Sequence, residues 1–201
     1  MMYRTIKRFV NLLCSIISIV VLSPLFIVIA IIIKATSKGP VFFIQERIGL
    51  NGKKFKLIKF RTMVDNAEDM IAAFTPEQKK EWNENFKLKV DPRITKIGYF
   101  LRRTSLDELP QLINIIKGEM SIVGPRPIVE EELSWYGDQK DKLLSVKPGL
   151  TGWWAVNGRS DIPYPERCDL ELYYVDHFSF GLDLKIIIKT FGAIIKKDGA
   201  R

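Results

Sequence analysis

Between Phe9 and Ile33 the chain is almost unbrokenly apolar, a run of roughly 25 residues that would reach about 37 Å as a helix, beyond the ~30 Å hydrocarbon core of a bilayer. It is read as membrane-embedded. A cleaved signal peptide fits poorly, because its apolar region is usually ~7 to 15 residues and no small-x-small cleavage site separates this run from the strand that follows. Ser23-Pro24 sits near the middle, where proline removes a helix hydrogen bond and the serine hydroxyl can satisfy a freed carbonyl. Arg4, Lys7 and Arg8 precede the run and Lys34 and Lys38 follow it. Positive charge marks the cytoplasmic side, so these flanks suit a helix that enters, breaks at Ser23-Pro24 and returns to the same face. A straight, kinked span fits the same residues, since proline is frequent in spanning helices.

The rest of the 201 residues fit one further domain, with enough apolar content (47%) for a core. Lysines and arginines number 31 against 23 acids, a net charge of +8, which favours anionic partners: phosphates, acidic headgroups or nucleic acid. Two cysteines, Cys14 and Cys168, make no disulfide framework. With His177 alone there is no His/Cys zinc set, and any metal would be a hard, oxygen-bound ion.

After Gly39-Pro40, residues 41–47 read as a strand, Asn51-Gly52 as a type I′ hairpin turn, and residues 53–63 as the return strand, with a row of cations on one face and a register shift near Ile58. Lys59 or Arg61 could reach a substrate phosphate, or the strand could simply face solvent or headgroups. Residues 65–89 read as two short amphipathic helices, the second capped by Thr75 with Pro76 at its first position. Trp82 and Phe86 could sit at a membrane interface or pack inside. Helices are expected at 94–103, 109–117 (stopped at Gly118), 129–144, 166–177 and 183–197. The last is amphipathic and basic, fit to lie on an acidic bilayer or to cover the core. Trp153-Trp154 could anchor at an interface, stack a base or pack. The fold class is α/β mixed, mainly helical with a small β-hairpin.

The chemistry concentrates at residues 102–111, where Asp107 and Glu108 stand beside Arg102 and Arg103. Ser105 and Glu108 have capping-box spacing, but Pro110 would then fall in the second helical turn, at a cost on the order of 3 kcal/mol. A helix starting near Pro110 instead leaves both carboxylates in a turn at its positive end, ionised and open to a divalent cation or phosphate. In Gly124-Pro125-Arg126-Pro127 two prolines stiffen the loop around one arginine, as phosphate recognition would benefit from. Asn157-Gly158-Arg159 is a second turn displaying an arginine. Cations, a carboxylate pair and a membrane segment point to phosphoryl chemistry at a bilayer. A non-catalytic basic domain, anchored by residues 9–33 and binding acidic lipid or nucleic acid, is the alternative.

Five ordered blocks carry a resemblance: residues 59–63, 102–111, 124–127, 147–152 with 157–159, and Tyr173-Tyr174 through Lys185. From about Lys7 onward the chain resembles the bacterial sugar transferases, monotopic phosphoglycosyl transferases, in their small catalytic form. The resemblance implies an enzyme of the bacterial inner (cytoplasmic) membrane, with a re-entrant helix at 1–38, amphipathic interfacial helices, and a cytosolic catalytic domain at 39–201. It would move a sugar 1-phosphate from a UDP-sugar to polyprenyl (undecaprenyl) phosphate with Mg²⁺, releasing UMP. Asp107 would be the nucleophile, Glu108 would support it or the metal, and Lys59, Arg61, Arg102, Arg126 and Arg159 would bind phosphate. Membrane lipids are implied partners, nucleic acid is not, and a homo-oligomer is left open. Ala155 and Glu171 depart from the family's pattern, so sugar and uridine contacts need not carry over there.

Overall fold

A computed structural model describes residues 2–85, 88, 90–158 and 162–196. The apolar run forms α1 (Met2–Thr36), and the break expected at Ser23-Pro24 is not a break in the helix. Helical structure continues through Pro24, and the Ser23 hydroxyl donates to Val20 O at 2.8 Å, the kind of local adjustment that lets a long helix carry a proline. One face of α1 lies on the rest of the chain, with Asn11, Ser15, Ile29 and Ile33 buried. The opposite face, Phe9, Leu13, Ile16, Val20, Ile27 and Ile31 at intervals of three, four or seven, is exposed. Helical spacing thus separates two apolar stripes, one for protein and one left uncovered. This is the one helix among the described residues long and apolar enough to cross a membrane.

The hairpin forms as the sequence indicates. Strands β1 (Phe42–Ile48) and β2 (Lys54–Phe60) pair antiparallel, Phe42 opposite Phe60. Asn51 and Gly52 both take positive φ, as a type I′ turn demands. Phe55 and Leu57 are buried on one face and Phe60 on the other, but the register expected to shift near Ile58 does not: pairing runs unbroken from Phe42–Phe60 to Ile48–Lys54, and burial changes face because α1 covers the far side of the strand's end. Phe60 packs with Ile29 and Ile33 of α1, while Phe55 and Leu57 join Ile19 of α1 in a second cluster.

Helices α2 (Asp69–Ala72) and α3 (Pro76–Asn85) follow. Thr75 Oγ1 accepts from Gln78 N at 3.2 Å and Gln78 Oε1 accepts from Thr75 N at 3.0 Å, a reciprocal cap. Trp82 packs edge-on against Phe74 and under the Arg93 guanidinium, the packing alternative; Phe86 lies outside the described residues. Helix α4 (Lys96–Thr104) is capped by Thr95 and ends in Arg102 and Arg103. A 3₁₀ turn, Leu106–Glu108, leads to α5 (Gln111–Lys117), which stops at left-handed Gly118.

Two features differ from expectation. Residues 129–144 are not one α-helix but a 3₁₀ stretch (Glu130–Gln139) broken at Gly137, then a short α6 (Lys140–Leu143). Gly137 adopts φ 50°, outside any right-handed helix, and the Glu132 carboxylate turns back to Val129 N at 3.0 Å. A parallel pair was not anticipated: β3 (Ser121–Val123) with β4 (Gly149–Thr151). The approach depends on glycine, because a Cβ at Gly149 would lie 2.1 Å from Gly124 N. Helices α7 (Glu166–His177) and α8 (Phe180–Lys196) close the chain. On α8 Ile186 is buried, while Phe180, Leu184, Ile188 and Phe191 form an exposed apolar stripe, so the helix both covers the core and presents an uncovered face.

Candidate active site

The Asp107 turn is held from every side. Ser105, with φ 56°, ends α4 and reverses the chain; its side chain makes no capping bond, and α5 begins only after Pro110, which excludes the capping-box alternative. Leu106 and Leu109, on either side of the carboxylates, pack on the cluster that contains Ile29 and Ile33 of α1. Asn114 of α5 donates to Lys56 O at 2.7 Å and accepts from Ile58 N at 3.1 Å, which fixes α5 to the edge of β2. Thr95 N donates to Thr62 O at 3.0 Å, so the start of α4 is tied to the chain just beyond β2.

This framework gathers charges around one carboxylate. Lys59 Nζ lies 2.8 Å from Glu108 Oε1, and Arg102 Nε donates to Thr62 Oγ1 at 2.9 Å. Asp107 is only 8% exposed. Burial, then the Glu108 charge, push its carboxyl up to about 6, opposed by the Lys59 and Arg102 charges and a backbone hydrogen bond. Asp107, Glu108, Lys59 and Arg102 line a cleft of about 1460 Å³.

Arg126 lines the same cleft, but its guanidinium is committed to Glu132, with Nη1 at 2.8 and 2.9 Å from the two carboxylate oxygens. Arg47 also reaches Glu132, at 3.5 Å. Behind them Glu171 is buried with Tyr136 donating to it at 2.8 Å; burial pushes Glu171 up to about 7, against the pull of Tyr136, Arg126 and Arg167.

Arg61 is placed elsewhere. It is 5% exposed, donates to the carbonyls of Ser37, Lys38 and Pro40, and does not line the cleft. Its guanidinium satisfies chain that has just left α1, where helical carbonyls run out of partners. Arg159 lies outside the described residues. Cleft residues that spacing did not single out are Thr62 and the Asp91–Arg93 pair, bonded at 2.8 and 2.6 Å, with the Arg93 guanidinium over the rings of both Phe74 and Trp82.

Among the described residues no group of three or more His, Cys, Asp or Glu could hold a metal. Asp107 and Glu108 bring two carboxylates to one cleft, close enough for the Glu108 charge to act on Asp107, and Mg²⁺ is commonly held by one or two carboxylates together with substrate phosphates.

The family model for bacterial sugar transferases matches residues 2–197. Three relatives show how far the likeness extends. The UDP-galactose-lipid carrier transferase of Erwinia amylovora is 43% identical over 98% of this chain, and the undecaprenyl-phosphate galactose phosphotransferase of Salmonella typhimurium is 44% identical over 98% of it. In both the match covers 42% of the relative, so the chain spans about two fifths of their length. The exopolysaccharide production protein ExoY of Sinorhizobium fredii is 44% identical over 96% of this chain and 87% of its own. Matched from the start of α1 to the end of α8, the chain belongs to the bacterial sugar transferase family.

Proposed function

We propose that the protein is a phosphoglycosyl transferase that moves a sugar 1-phosphate from a UDP-sugar to undecaprenyl, or another polyprenyl, phosphate. The observation that carries this reading is Asp107: a buried carboxylate flanked by the Lys59 and Arg102 charges, in a cleft that Cys14, Ser18 and Leu22 of the apolar helix also line. Two of the relatives are named for undecaprenyl-phosphate or lipid-carrier transfer of galactose.

In the first step an Asp107 carboxylate oxygen attacks the sugar-bearing phosphorus, the bond to the uridylyl oxygen breaks, and UMP leaves. In the second an oxygen of the lipid phosphate attacks the same phosphorus and frees Asp107. Splitting the transfer keeps an anionic acceptor and an anionic donor from having to meet directly. Lys59 and Arg102 offset the charge that develops, each such donor being worth roughly 2–4 kcal/mol in a desolvated site. Arg126, paired with Glu132, lines the same cleft, and Arg126 and Arg159 are proposed phosphate contacts. Asp107 and Glu108 would hold Mg²⁺, which supplies charge neutralisation at the diphosphate. We place the catalytic part on the cytoplasmic face of the bacterial inner membrane. The basic flanks at both ends of the helix support this.

The test is UMP release from a panel of UDP-sugars with Mg²⁺ and undecaprenyl phosphate, together with intact mass. Without acceptor, the wild type should gain the mass of one sugar phosphate and Asp107→Asn should not. No UMP from any donor would favour a non-catalytic anchor.

A further inference from the structure

A second, smaller cavity of about 120 Å³ lies at the foot of α1 and shares no lining residue with the cleft around Asp107. Among the described residues four basic ones line it, Arg4, Lys7, Arg8 and Lys147, and no acidic one does. Their engagements differ. Lys7 is neutralised by Asp183 at 2.8 Å and spends its other hydrogens on the hydroxyls of Tyr3 and Tyr174. Arg8 donates to Ile115 O and Ile116 O at the end of α5, which leaves N–H groups to spare. Lys147 makes no hydrogen bond or ion pair with the described residues.

Arg8 and Lys147 also converge. A Cβ built on Gly118 would stand 3.4 Å from Arg8 Nη2 and 3.7 Å from Lys147 Nζ. Two like charges sharing a part-buried space raise each other's cost, and burial together with the Arg8 charge pulls the Lys147 ammonium below its ordinary range. An oxyanion between them would turn that repulsion into charge-assisted hydrogen bonds. The cavity is several times the roughly 10–15 Å³ that one water needs. Arg4, Lys7 and Arg8 immediately precede the apolar run, which puts the cavity where a bilayer's headgroups begin.

We propose that this cavity binds a phosphate group, held between Arg8 and Lys147 and separate from the reacting centre. The phosphate is that of a lipid headgroup or free phosphate, and the inference does not depend on the transferase reading.

The test uses the full chain in dodecyl maltoside, a detergent without phosphorus, and reads Tm. One arm adds inorganic phosphate against sodium chloride at equal ionic strength. The other adds phosphatidylglycerol against diacylglycerol, which lacks phosphorus. Stabilisation by phosphate identifies the free anion as sufficient, and stabilisation by phosphatidylglycerol alone identifies a headgroup. In Lys147→Met either affinity should weaken roughly tenfold or more, as loss of a charged hydrogen bond implies. Lys147→Glu, which places a carboxylate beside Arg8, should melt no lower than wild type in plain detergent and respond to neither probe. The proposal is overturned if neither probe raises the wild-type Tm, if Lys147→Met keeps the response, or if Lys147→Glu melts lower than wild type.

Discussion

Lys59 Nζ and Glu108 Oε1 stand 2.8 Å apart, an ion pair that fastens the end of β2 to the turn carrying Asp107. The two side chains are 27% and 32% exposed, so the pair itself adds no more than about 1 kcal/mol to stability. Its effect falls on the neighbour, because the Lys59 charge favours ionised Asp107. Lys59→Met should therefore lower UMP release roughly 10²–10³-fold with little change in Tm, and shift the acidic limb of the pH–rate profile upward. A profile that stays in place would show that Lys59 does not act through Asp107.

Asp107→Asn separates chemistry from folding. Because burial raises the folded carboxyl from 3.8 to about 6, the stability it contributes is fully present below pH 3.8 and lost as pH rises through about 6. Without Mg²⁺ the inactive variant should thus be more stable than wild type at pH 8, by about 1–3 kcal/mol, with the gain vanishing near pH 4. Denaturant midpoints at the two pH values check this.

Gly98 lets α4 pack on the strand end that bonds Arg102. A Cβ there would sit 2.0 Å from Thr62 O, backbone against side chain with nothing flexible to yield. Gly98→Ala should cost about 2–4 kcal/mol and loosen the Arg102–Thr62 contact. The expected readings are a lower Tm and a lower kcat together; an unchanged Tm would mean that α4 can shift freely.

Glu171 offers a second pH test. Its carboxyl is raised from 4.5 to about 7 by burial, so its stabilising contribution is whole below pH 4.5 and disappears as pH passes through about 7. Glu171→Gln, which can still accept from Tyr136, should match wild type at pH 4 and melt higher at pH 8. A lower melting point at pH 8 would instead identify Glu171 as ionised and paired with its arginine neighbours.

Patterns confined to a few consecutive residues were legible in the sequence: the apolar run, the Asn51-Gly52 turn, the Thr75 cap, the Gly118 stop and the bounds of α7. The carboxylate turn could be read because proline forbids the competing helix. What stayed hidden depends on partners distant in sequence. Arg61 and Lys59 are two residues apart, on either side of the end of β2, yet one serves the exit from α1 and the other reaches Glu108. Nor do three-residue strands such as β3 and β4 show a period, and their pairing follows from the contact between Gly124 and Gly149. Gly137 could have warned that residues 129–144 would not hold one helix.

Cys14, Ser18 and Leu22 border the same space as Asp107. Cutting away residues 2–36 to obtain a water-soluble version would therefore do more than remove the apolar helix: it would take away one side of the cleft, and the acyl phosphate proposed on Asp107 would stand open to hydrolysis. Inhibitor screens run on such a truncation would sample a different pocket from the one the intact chain offers.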